Sequence, residues 1–193
     1  MREDLSWLSS TLASDASEGV GVLPHWIGTS KPSARVVAPA RVVTASRDDN
    51  GVISELIASS TQGAGGVLMV GGHERSHGAT IGGLMARELR LLGFVGLVTD
   101  GLVRDANDIR ALDFPVWCRG VTPMASQKRE LGLRGGAVQL GGVIVREGDL
   151  IVADDDGVVC WEAAQVDAYV LKARARLERD EQRLGRILER ERR

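Results

Sequence analysis

Gly82-Gly83-Leu84-Met85, then Gly93-Phe94-Val95-Gly96-Leu97-Val98-Thr99, then Asp100-Gly101-Leu102-Val103-Arg104-Asp105 follow one another within residues 82–105. Two glycines ahead of an apolar periodic run mark a helix start, so a helix is predicted over about 84–92 and a strand from Val95 to Thr99, followed by a loop that carries Arg104 and Asp105. Upstream, glycines 63, 65 and 66 precede the short apolar strand Val67-Leu68-Met69-Val70, and a Gly-rich loop spans 71–83. Downstream, a helix is predicted at about 106–111 and a strand from Val116 to Arg119. Strand, loop, helix and strand in repeated alternation require crossover connections, and crossovers place neighbouring strands in parallel.

Farther out the pattern changes. Ala137 to Val145, Leu150 to Ala153 and Val158 to Cys160 are apolar runs separated by Arg146-Glu147-Gly148-Asp149 and Asp154-Asp155-Asp156-Gly157. Turns of this kind predict hairpins and a second, partly antiparallel layer, so a sheet, sheet and helix sandwich of the α/β class accommodates both halves. Near the start, residues 4–16 read as a short peripheral helix with Leu5, Leu8 and Leu12 on one face. Arg35 to Thr44 reads as a strand interrupted near Pro39. From Lys172 onward nine basic residues face five acidic ones, and Val166, Val170, Ala173, Leu177, Leu184 and Leu188 form a helical stripe suited either to a neighbouring subunit or to the chain's own surface.

A formal net charge of -2 supplies no bulk field for nucleic acid or membrane. The expectation is a protein with neither partner. Cys118 and Cys160 stand 42 positions apart, which suits neither a zinc knuckle nor a disulfide framework, so both are expected as buried thiols in a reducing cytoplasm. No apolar run reaches the ~20 residues of a membrane span, and the acidic start does not resemble a secretory leader.

His73-Glu74-Arg75-Ser76-His77 spells the HExxH pattern of zinc proteases, which works only on a helix; Gly71, Gly72 and Gly78 around it predict a loop instead. Asp154-Asp155-Asp156-Gly157 lacks the later glutamate of a calcium loop and reads as a hairpin turn. No nucleophile elbow, Walker loop or dinucleotide fingerprint is present. Gly82-Gly83 is different, because a helix beginning there leaves backbone N–H groups free for a carboxylate or phosphate. Arg104 can hold a carboxylate bidentately and Asp105 offers a hard oxygen for magnesium. The competing reading is that the pair caps the next helix or bonds to Asp100 or Arg110.

These segments, together with Arg119-Gly120-Val121-Thr122-Pro123, Gly141-Gly142-Val143-Ile144-Val145 and Gly148 to Val159, resemble the RraA-like proteins and the class II 4-hydroxy-4-methyl-2-oxoglutarate aldolases over roughly residues 8–160. The resemblance implies a swivelling β/β/α sandwich domain over 1–160 and a charged C-terminal helix over 161–193 as an oligomer contact. Homotrimers or homohexamers with sites at subunit clefts are implied with it. It also implies a magnesium- or manganese-dependent lyase that cleaves or decarboxylates a small 2-oxo acid through a pyruvate-type enolate. Arg104 would bind the substrate carboxylate, Asp105 the metal, and the start of the helix at Gly83, Leu84 and Met85 the 2-oxo acid. One position departs from that pattern: the aldolases carry an acidic residue 21 positions before the arginine, where this chain has Gly83. Glu74, Asp100, or an acidic residue of a neighbouring tail such as Glu178 or Glu181, is the candidate to replace it. A non-catalytic, ribonuclease-binding regulator of the RraA type, or a member adapted to another oxo acid, is the alternative.

Overall fold

The computed structural model describes residues 4–60, 65–129 and 132–192; Gly63 and Arg193, both used above, lie outside them. Chain order begins with α1 (Ser10–Ala16), β1 (Gly28–Thr29), β2 (Val36–Thr44), α2 (Gly51–Ser59), β3 (Val67–Gly71), β4 (Ala79–Ile81) and α3 (Gly83–Leu91). It continues through β5 (Gly96–Thr99), β6 (Leu102–Val103), α4 (Ala106–Ala111), β7 (Val116–Cys118), β8 (Gly120–Val121) and β9 (Leu133–Arg134). The hairpin strands β10 (Ala137–Leu140) and β11 (Val143–Arg146) follow, then β12 (Leu150–Asp154), β13 (Gly157–Trp161) and the long α5 (Val166–Glu191).

The main sheet has the order β1-β7-β5-β3-β2-β12-β13, with β9 added beside β2. Strands β2, β3, β5 and β7 run parallel, as the alternation required. The other pairs are antiparallel, so β12 and β13 extend this sheet instead of forming a second one. The second layer is the β10–β11 hairpin, whose Val138, Leu140 and Val145 bury against Val42, Val67 and Met69 on one face. On the opposite face Ile53, Ala86, Leu89 and Ile109 from α2, α3 and α4 pack on Val43, Leu68, Val70 and Leu97. Sheet, sheet and helix are therefore the layers.

β2 is continuous, contrary to the expected break at Pro39. Its first half pairs with β12 up to Pro39, whereas the β3 ladder starts at Ala40. Ala40 donates its N–H to Asp149 on the β12 side. By strand alternation the Pro39 nitrogen faces the other edge, one residue before that ladder begins, so no bond is lost there.

Two further corrections concern the N-terminal segment. The helix starts at Ser10, not residue 4, because Ser9 caps it by accepting the Leu12 N–H at 3.2 Å. The segment is also not peripheral: Leu8, Ala13 and Ala16 are buried in a third core cluster with Val152, Val159, Trp161, Val170 and Ala173. α5 thus packs its first half on α1 and β13, with Lys172–Glu18 and Arg176–Asp15 ion pairs at 3.4 and 3.3 Å flanking the apolar seam. The helix continues unbroken through Gly185, and its residues from Glu181 to Glu191 are exposed. Among the described residues no helix is long and apolar enough to cross a membrane.

Candidate active site

The Gly-rich loop expected over 71–83 contains the strand β4, and β4, β6 and β8 form a small parallel sheet of their own. Each of its strands continues a strand of the main sheet: β3 leads to β4, β5 to β6 and β7 to β8. The residues just past β4 and β6 are Gly82-Gly83 and Arg104-Asp105, and the Arg104 N–H bonds to the Ile81 carbonyl at 3.0 Å. Two segments more than 20 residues apart are thereby placed side by side.

A buried polar hub holds this second sheet in place. His73 is fully buried, with Nδ1 2.7 Å from the Thr80 hydroxyl and Nε2 2.9 Å from both the Ser46 and Asp49 carbonyls. Two carbonyl acceptors at one nitrogen require the proton on Nε2. A side chain at Gly101 would collide with Thr80 and His73, its Cβ lying 2.3 Å from the threonine hydroxyl, so glycine is needed where the chain enters β6. His77 is exposed and in no helix, so the HExxH segment does not form the two-histidine face of a zinc protease. Asp100 is buried and accepts N–H groups from His73 at 2.9 Å and Gly72 at 3.3 Å. Burial pushes its carboxyl above the ordinary range despite those two bonds.

Gly82 caps α3, and the first intrahelical bond runs from the Ala86 N–H to the Gly82 carbonyl. The N–H groups of Gly83, Leu84 and Met85 precede it at the positive end of the helix. Asp105 takes one of them: its Oδ2 accepts the Gly83 N–H at 3.1 Å. The Arg104 Nε lies 3.7 Å from the same oxygen. Asp105 occupies the N-cap position of α4 in the left-handed region, at φ +57°, but makes no side-chain cap bond there. The capping alternative therefore holds for its backbone only, because the carboxylate turns to the start of α3. Asp100 and Arg110 are not partners of the pair; Arg110 bonds Asn107 at 2.9 Å. Leu84 is exposed, Met85 is half-buried, and the apolar side chains of Leu84, Val121 and Met124 remain in solvent at 78%, 61% and 55% exposure.

The carboxylate nearest Gly83 that sequence reasoning missed is Asp108. A Cβ at Gly83 would stand 2.8 Å from the Asp108 Cβ, 3.3 Å from its Oδ2 and 3.4 Å from the Asp105 Cβ. The Arg104-Asp105-x-x-Asp108 spacing at a helix start carried that signal, since residues three apart share one helix face. Glu74 and Asp100, considered as replacements, instead line a different cleft of about 550 Å³ with Thr44, Arg47, Arg75 and the hairpin residues Val138 and Gln139. Glu178 lies next to the packed half of α5, and Glu181 begins its exposed end. Among the described residues no group of three or more His, Cys, Asp or Glu side chains is arranged to hold a metal. Two hard carboxylates, Asp105 and Asp108, fit a water-rich magnesium site completed by substrate; they do not fit a closed protein cage.

This fold has known relatives. The family described as RraA-like, Aldolase/RraA, matches residues 13–160. The chain belongs to that family. A Halalkalibacterium halodurans protein, named provisionally as a 4-hydroxy-4-methyl-2-oxoglutarate aldolase, is 34% identical over 176 residues, covering 91% of this chain and 83% of its own. Among solved structures, Streptomyces coelicolor RraAS2, described as an unusual member of the RNase ES inhibitor RraA family, superposes with a TM-score of 0.82 at 28% identity, covering 96% of this chain and all of its own. The RNA-processing inhibitor RraA of Thermus thermophilis gives 0.69 at 26% identity, over 83% of this chain and 93% of its own. RraA-like relatives thus include both a named aldolase and named inhibitors.

Proposed function

We propose that this RraA-like protein is a divalent-metal-dependent carbon–carbon lyase that cleaves or decarboxylates a small 2-oxo acid. The observation that carries this reading is the convergence of Arg104 and Asp105 on the N-terminus of α3: Asp105 Oδ2 accepts the Gly83 N–H at 3.1 Å and lies 3.7 Å from Arg104 Nε. Arg104 holds the substrate carboxylate. The N–H groups of Leu84 and Met85 orient the oxo acid along the helix dipole. Asp105, with Asp108 behind it, holds magnesium or manganese. When bound, that cation supplies charge stabilisation for the enolate that carbon–carbon cleavage or decarboxylation leaves behind. The exposed apolar side chains of Leu84, Val121 and Met124 suit contact with a neighbouring subunit in a homotrimer or homohexamer, and the exposed end of α5 suits a contact in the same assembly.

The test is pyruvate release from 4-hydroxy-4-methyl-2-oxoglutarate and from oxaloacetate, with magnesium and with excess chelator. Chelator-sensitive release that Asp105→Ala lacks is the expected result. No release from either substrate defeats the lyase reading.

One observation favours a non-catalytic role as a ribonuclease regulator. Asp108 fills the space in which a side chain at Gly83 would begin, so the family's acidic residue has no counterpart on α3. The similarity to two RraA inhibitors agrees with that role. Inhibition of an RNase E-type ribonuclease by a protein without lyase activity is its signature.

A further inference from the structure

Asp105 stands where the proposed substrate should bind. The positive end of α3 and the Arg104 guanidinium are the two features that recommend the site for a carboxylate, and the Asp105 carboxylate already occupies both, at 3.1 Å and 3.7 Å. Contact with Gly82 is close enough that a Cβ there would lie 2.6 Å from Asp105 Oδ2 and 3.0 Å from Arg104 Nε. A second carboxylate arriving at this helix start meets a like charge at hydrogen-bonding distance, and Asp108 adds another nearby. The Asp105 backbone is held at the N-cap of α4, yet its side chain is 43% exposed. It can therefore leave the Gly83 N–H by side-chain rotation alone.

We propose that Asp105 is a specificity gate: its carboxylate closes the anion site at the α3 N-terminus until a divalent cation chelated by the incoming acid draws it away. The inference rests on the lyase reading for the identity of the cation and for Arg104 as anchor, and it deepens that reading by stating which acids are admitted. A 2-oxo acid chelates the cation through its carboxylate and oxo oxygens, so it arrives with the group that removes Asp105 from Gly83. A monocarboxylate of the same size has no such means and is refused. Asp105 is then needed for metal binding but opposes anion binding in the metal-free protein, two effects of opposite sign from one side chain.

Calorimetric titration of oxalate, a chelating mimic of the 2-oxo acid, and of propionate, a non-chelating one, tests this on the full-length protein. Both are titrated with and without magnesium into wild type, Asp105→Ala and Asp105→Asn, with circular dichroism confirming the fold of each. In wild type, magnesium should tighten oxalate at least tenfold and leave propionate unbound. In metal-free Asp105→Ala, both anions should bind at least tenfold more tightly than to metal-free wild type, and added magnesium should no longer help. Asp105→Asn, which keeps an acceptor for the Gly83 N–H but loses the charge, should fall between. Equal propionate binding by wild type and Asp105→Ala overturns the gate, as does the absence of anion binding in every form. The pyruvate-release assay separates the two readings: turnover without gating leaves the lyase standing, whereas gated anion binding without turnover leaves an anion site that is not a lyase.

Discussion

Two aspartates of this protein stand at the ends of short strands, but their surroundings are built oppositely. At the β12–β13 turn, Asp154 is 7% exposed, and its carboxylate accepts the Ser10 N–H at 2.9 Å, the Ser10 hydroxyl and the Asp156 N–H at 3.1 Å. Its carbonyl takes the Trp117 indole N–H, and the neighbouring Asp155 accepts the Ser33 N–H. At the turn after β6, Asp105 is 43% exposed, sits in the left-handed region and has a single backbone donor. A carboxylate saturated by its own chain is a structural clamp. One left with spare acceptor capacity beside an arginine and a helix start is available for a ligand.

If that contrast is sound, the two turns should fail differently. The largest effect expected is on turnover: Asp105→Ala should lower metal-dependent pyruvate release by about 10²–10³-fold, as for loss of a principal charge-stabilising group, with little change in melting temperature. Asp154→Ala should do the reverse. Stranding the Ser10 and Asp156 donors costs about 3 kcal/mol, or a melting temperature lower by roughly 6–12 °C for a chain of this size, with turnover per folded molecule preserved. Calorimetry and assay on both variants would reveal a crossed pattern, and matching losses in both would erase the distinction.

Smaller effects sharpen it. Arg104→Ala should raise KM about 10-fold, the loss of one charge-assisted hydrogen bond, and affect kcat less; unchanged kinetics would remove the arginine from the site. Shortening the chain after Asp180 spares the packed half of α5 and should loosen the proposed homo-oligomer, read as a lower mass by light scattering. The smallest effect concerns Asp100. Its burial raises the folded pKa above the ordinary 3.8, so folding favours the protonated form. Wild-type stability should fall as pH rises from about 3.8 through the raised value and then level off. Asp100→Asn should lack that fall, and parallel pH profiles of the two proteins would contradict the assignment.

Much of the architecture was legible along the chain because the signals were local. The α4 bounds and the parallel strands around Val67, Gly96 and Val116 follow from apolar runs punctuated by glycine. α2 went unassigned although Val52, Ile53, Leu56 and Ile57 carry helical spacing. β4, β6 and β8 are two or three residues long, too short for a period to register. Pro39 looked like a break because a sequence shows the missing N–H but not the edge toward which it points.

The sequence by itself determined the family, the α/β layering, the glycine helix start and the adjacency of Arg104 to Asp105, because each is written in neighbouring residues. Only the tertiary structure decided that β4 and β6 bring residues 82–83 against 104–105, that Asp108 takes the space beside Gly83, and that Asp105 turns to α3 instead of capping α4. These are consequences of how strands pair and where a side chain finds its nearest donor. Such distances arise between segments remote in sequence, and no local pattern encodes them.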